Sequence, residues 1–166
     1  MVALSGRFRA KWSSEIHEEW KASLLRNRAD LTRAHLDRTS QLMDEALPDA
    51  SVENYEDLIE AIALPDENDR HVLAAAIRCG AALIVTFNLK DFPGDVLARY
   101  GIEAVHPDDF VDDLFDLDAP VVIEAARRQR ARLCNPAMDA DDYLDMLRRQ
   151  GLVQTAKALS DFRMLL

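Results

Sequence analysis

The sequence predicts an α/β fold with a central parallel sheet, followed by a C-terminal helical extension. Three observations carry this. Segments with apolar residues at helical spacing alternate with short apolar runs, the signature of a parallel sheet with crossover helices. One run, "ALIVTF" at 82–87, is continuously apolar, as in a strand covered on both faces. After "DLDAP" the alternation stops and only helical patterns remain, so a boundary is expected near residue 117, with a sheet-bearing domain over 1–117 and an extension over 118–166.

Taken in order, "RFRAKW" (7–12) alternates basic and bulkier residues and reads as a short strand. Ile16, Trp20 and Leu24 recur at four-residue spacing behind Ser13 or Ser14 as N-cap, which predicts a helix over about 14–27. Leu31, Ala34, Leu42 and Ala46 predict a second helix over about 30–46, ending before Pro48. "ASVENYEDLIEAI" (50–62) reads as a short strand or turn and then a helical turn. Pro65 and Asp66 open a helix over about 67–79, stopped by Gly80. The pattern repeats more weakly as a helix near 94–100, Gly101, a strand at "IEAVH" and a helix over about 107–115. The extension reads as three helices at 119–133, 139–149 and 152–162, the second begun by acids at its positive end and closed by Gly151.

Composition sets further bounds. With 166 residues, 49% of them hydrophobic and 30% charged, the chain can bury a core. No run reaches the roughly 18 apolar residues of a membrane span, and the start has no signal-peptide core, so a cytoplasmic protein is expected. Cys79 and Cys134 have no metal-ligand or disulfide spacing and read as small buried hydrophobes. The net charge of −10 is concentrated: residues 51–120 hold sixteen acids against four bases. Such a surface repels nucleic acid, which is bound mainly through phosphate neutralisation. It suits a basic partner or divalent cations.

Ligands of open parallel α/β sheets bind where the strands end. Asn88 and Asp91 lie just past "ALIVTF", and Asp66 and Asp69 begin the helix that feeds that strand. A helix antiparallel to the strand it precedes starts near that strand's carboxyl end; whether all these acids share one edge is not fixed by spacing. Gathered carboxylates repel one another unless a cation neutralises them, and hard divalent cations prefer oxygen. Each residue also has a plainer reading. Asp66 is a good N-cap, Asp69 gains from the helix dipole, and Asn88 and Asp91 suit turns. Glu18 and Glu19 fit a solvated helix face. His17, His35, His71 and His106 lack metal-ligand spacing and read as packing or surface residues, and Trp12 and Trp20 as core. "RRQRAR" (127–132) is either a phosphate-binding stripe or a solvated face paired with the acidic middle.

"LPDENDRHVLAAAIRCGAALIVTFNLKDFP" closely resembles the third and fourth motif regions of PIN-domain proteins, and "WSSEIHEEW" their second. "DLDAPVVIEAARRQRARLCNP" and the residues after it resemble the VapC-like toxin branch that carries a helical extension. The resemblance covers nearly the whole chain and implies a PIN-like three-layer fold. It also implies a ribonuclease using Mg²⁺ or Mn²⁺, the toxin of a type II toxin–antitoxin pair. Matched residue by residue, it assigns catalytic and metal-holding roles to Glu19 (with Glu18 as the neighbouring alternative), Asp69 and Asp91, with Asp66 as a further metal ligand. Many relatives carry aspartate where this chain has Asn88, which keeps an oxygen ligand but loses a charge, so the metal role there falls chiefly to Asp91; Thr86, Asn88, Lys90 and Arg70 are assigned to the substrate side. RNA contact would also draw on the 127–132 helix.

PIN domains begin with a strand ending in aspartate and then a helix, neither of which this sequence shows. On that ground the PIN-like part is expected to be truncated at the N-terminus, with a sheet edge left open. Self-association into a homo-oligomer or impaired catalysis is then expected. The competing reading is a catalytically impaired PIN-like binding or oligomerisation module that sequesters an antitoxin.

Overall fold

The structure is a computed structural model that describes residues 3, 6–134 and 137–166. Its helices are α1 (Ser14–Asn27), α2 (Arg33–Ala46), α3 (Glu56–Ile59), α4 (Arg70–Cys79), α5 (Gly94–Leu97), α6 (Pro107–Arg132), α7 (Ala140–Arg149) and α8 (Val153–Ser160). Strands β1 (Leu83–Val85) and β2 (Glu103–Val105) form the two-stranded sheet. Ladder bonds from Glu103 N to Ala82 O (3.0 Å) and from Thr86 N to Val105 O (3.0 Å) advance in the same direction on both strands, so the sheet is parallel. No helix among the described residues is long and apolar enough to cross a membrane.

Chain contacts divide the molecule into two compact units. The first comprises Arg9–Ile84 and Asn88–Ala104. Its core gathers Tyr55, Ile62, Leu73, Ala74, Ile84 and Leu97 around α4, with Leu73, Ala74 and Leu97 wholly shielded from solvent. α1 starts where Ser13 Oγ accepts the N–H of Ile16 at 3.2 Å, and α2 where Thr32 Oγ1 accepts that of His35 at 3.3 Å. α4 ends at Gly80, whose left-handed backbone (φ 63°, ψ 39°) lets its N–H reach the carbonyls of Ala76 and Ile77. A Cβ at Gly80 would meet nothing within 4 Å, so Gly80→Ala should cost only the conformational penalty. That is about 1 kcal/mol, read as a lower urea midpoint.

The second unit takes in Val85–Phe87 and Val105–Leu166 with the segment ending at Phe8. Its core joins Ile123, Tyr143, Leu144, Leu147, Ala156 and Leu159. Burial pushes the Tyr143 phenol up to about 12, and its hydroxyl donates to Gln129 Oε1 at 2.7 Å. α7 is capped by Asp139, which accepts from the N–H of Asp142 at 2.8 Å.

Several expectations are corrected. "RFRAKW" is not a strand: only Trp12 pairs, in a single parallel bridge with Ser51, and Arg7 instead pairs with Asp118 while the Phe8 ring meets Phe110 edge-on. β1 is covered on one face only, since Ile84 is 6% exposed but Leu83 and Val85 are 39% and 44%. The helices expected at 107–115 and 119–133 form one span bent at Asp118 (φ −156°, ψ 73°). Asp118 leaves the helical region and caps the second half of the span, accepting from the Val121 N–H at 3.4 Å, so Pro120 falls in a first turn where its missing N–H is tolerated. Cys134 is exposed rather than buried, Cys79 is half-buried, and Trp12 and Trp20 are half-buried rather than core. Arg127 and Arg128 do not pair with the acidic middle; both pair with Glu124 of their own helix, and Arg130 turns to the carbonyls of Met138 (2.7 Å) and Leu166 (2.9 Å).

Candidate metal centre

Two short 3₁₀ turns, Glu67–Asp69 ahead of α4 and Leu89–Asp91 beyond β1, place the acids of the first unit. Asp66 opens the first turn, its Oδ1 accepting the backbone N–H and side-chain amide of Asn68, both at 2.9 Å. Asp69 closes that turn, and Asp91 closes the other. The result is a cluster in which one carboxylate oxygen each from Asp66, Asp69 and Asp91 lie within 4.8 Å of one another, all three residues half-buried. Oxygens on opposite sides of one divalent ion sit roughly 4 to 5 Å apart, so this spacing and this hard donor set fit such an ion.

The electrostatics agree. The Asp69 carboxyl is raised above its ordinary range, first by burial and then by the charges of Asp66, Asp91 and Glu19, with His71 pulling the other way. A cation would relieve that repulsion.

Glu19 stands beside the cluster rather than in the three-residue group. Its Oε1 lies 2.9 Å from His71 Nε2, and its charge acts on Asp69. Glu18 turns the other way, to Arg33 (2.7 Å) and Lys21 (3.2 Å) in an ion network with Asp37 between α1 and α2. Arg33 and Lys21 hold the Glu18 carboxyl below its usual range. Asn88 donates its amide to Asp91 Oδ2 and so braces that acid. Lys90, in the same turn, is exposed. Arg70 is half-buried and pairs with Glu67 at 2.7 Å. Thr86 belongs to the second unit, at the end of the ladder on Val105.

One residue escaped sequence reasoning. His71, only 8% exposed, sits between Glu15 and Glu19, one turn apart on α1. The visible signal was that pair of glutamates at i and i+4, which puts both on one helix face.

Fold and site together define an α/β chain whose turns at the end of a parallel strand gather carboxylates of the kind that hold divalent cations. The chain belongs to the PIN-domain family: the family model for the PIN domain matches residues 1–90. The family model described as the VapC50 C-terminal domain matches residues 107–161. A Mycobacterium tuberculosis (strain ATCC 25618 / H37Rv) protein provisionally named ribonuclease VapC50 is 57% identical over 63 residues, which make up 38% of this chain. The aligned stretch spans 37% of that relative's own length. No solved structure matches the chain significantly. PIN domains generally use divalent metal ions, and the acidic cluster is consistent with that.

Proposed function

We propose that this chain is a metal-dependent ribonuclease, the toxin of a type II toxin–antitoxin pair. The observation that carries the reading is the convergence of Asp66, Asp69 and Asp91 to within 4.8 Å in a PIN-family chain. The relative named as a ribonuclease supports the choice of RNA as substrate. A bound Mg²⁺ or Mn²⁺ would supply an activated water and a positive charge against the scissile phosphate. Asp66, Asp69 and Asp91 hold that ion, and Glu19, aimed by α1, adds a fourth carboxylate. Asn88 keeps Asp91 in place. Lys90 and Arg70 offer donors to the phosphates and sugars of the RNA strand, which a centre of negative charge would otherwise repel.

A cytoplasmic site of action and a cognate antitoxin belong to the same proposal, since RNA is the target and the toxin must be held in check. A boundary near 117 between the PIN-like part and the helical extension stays a proposal, since Val105–Leu166 pack as one compact unit across the bend at Asp118. The test is cleavage of single-stranded RNA by the purified chain. Cutting should require Mn²⁺ or Mg²⁺, stop with EDTA and return when the metal is restored. Cutting that persists in EDTA would remove the metal from the proposal.

A further inference from the structure

Glu19 poses a physical difficulty for the centre just described, because its side chain is 49% exposed and a glutamate has three free torsions. A flexible, solvated carboxylate is a poor ligand unless something holds it. His71 is placed to do so. It belongs to the first turn of α4, two residues after Asp69, on a helix anchored by wholly buried Leu73 and Ala74. The imidazole therefore moves with the backbone that carries Asp69. Its Nε2 stands 2.9 Å from Glu19 Oε1. Its Nδ1 lies 3.3 Å from Glu15 Oε2 without a hydrogen bond to it, and is otherwise buried without a partner. The ring's hydrogen bond thus goes to Glu19, with Glu15 closing the other side.

We infer that His71 is a positioning residue: its Nε2–H pins one oxygen of Glu19, leaves the other for the cation, and so ties the acid of α1 to the acids flanking α4. This rests on the metal reading of the Asp66, Asp69 and Asp91 cluster and on Glu19, which stands beside those three, as its fourth carboxylate. Carboxylates that hold metals are themselves hydrogen-bonded, and removing such outer partners costs about 10- to 100-fold in metal affinity.

The experiment is Mn²⁺ titration of the full chain by calorimetry, with folding checked by circular dichroism. His71→Met keeps the volume and removes the donor; it should weaken Mn²⁺ binding by about 10- to 100-fold. His71→Gln places an amide N–H where Nε2 stood and should restore affinity to within about threefold of the original, taking that outer-partner cost as the scale. A role in folding alone would give no such rescue. Wild-type affinity in His71→Met, with binding lost in Asp69→Asn, would overturn the positioning role and leave the metal centre standing. Equal weakening in His71→Met and His71→Gln would overturn it too, since the donor would then not matter. No Mn²⁺ binding by the unaltered chain would remove the metal centre, and this inference with it.

Discussion

Asp69→Asn should abolish metal-dependent RNA cleavage while the chain stays folded. Asp69 is the member of the cluster that feels all the other acids: burial, Asp66, Asp91 and Glu19 all disfavour its charge. A divalent cation held by the cluster would relieve that repulsion. Replacing it by the neutral isostere leaves a metal-free fold that is no less stable, because the repulsion goes with the charge. A cation bound by the cluster, however, would lose one of its carboxylate ligands. Several kcal/mol of charge stabilisation in the transition state then disappear, and at about 1.4 kcal/mol per factor of ten the rate should fall roughly a thousandfold. Melting curves give a second measurement. Mn²⁺ at about 100 times its dissociation constant adds about 2.7 kcal/mol of stability, a rise of roughly 5 to 10 °C for a chain this long. The unaltered protein should show that rise and Asp69→Asn should not. Undiminished cleavage in Asp69→Asn would exclude Asp69 from the centre.

Elements that carry their own punctuation were legible in the sequence. α1 lies where Ser13 and the Ile16, Trp20, Leu24 spacing place it, and α7 where Asp139 opens it. α4 ends at Gly80 because no other residue takes the left-handed turn so easily. What failed depended on neighbours far along the chain. A continuous apolar run such as "ALIVTF" implies two-sided burial only if the sheet has layers on both faces, and local sequence does not carry that. "RFRAKW" alternates as a strand should, but a ladder needs a partner of matching length, and only Ser51 is offered.

The site divides along the same line. The Asp66-x-x-Asp69 pair and the acid in "NLKD" could be picked out from residue types and a family pattern. Their convergence could not, because it rests on the two 3₁₀ turns that reorient Asp69 and Asp91. His71 was hidden for a stronger reason. In sequence it is a lone histidine in an alanine-rich helix, and its partner Glu19 lies 52 positions away.

Asp108→Ala should strongly destabilise the second unit. α8 has no cap of its own, since Leu152 precedes it and offers no side-chain acceptor. Asp108, from the first turn of α6 and only 4% exposed, takes that place. Its carboxylate accepts the N–H of Gln154 at 2.8 Å, the N–H of Thr155 at 2.9 Å and the hydroxyl of Thr155 at 2.8 Å. Hydrogen bonds to a charged acceptor contribute about 1.5 to 3 kcal/mol each, but bonds that share one carboxylate do not add in full and water can reach part of the freed helix end, so a loss of roughly 3 to 5 kcal/mol is expected. That is a large part of the roughly 5 to 15 kcal/mol that holds a typical domain folded. Burial alone would raise the Asp108 carboxyl, yet these donors outweigh it and hold it below the usual aspartate range. A folded-state value below the unfolded one means the stabilisation is fully present above about pH 4, the ordinary aspartate value, and is lost as pH falls through the folded value. The gap in urea midpoint between the unaltered chain and Asp108→Ala should therefore be widest at neutral pH and narrow in acid. A gap under about 1 kcal/mol at pH 7, or one that does not change on acidification, would mean that α8 is held by its apolar face alone and that the Asp108 carboxylate contributes nothing as a cap.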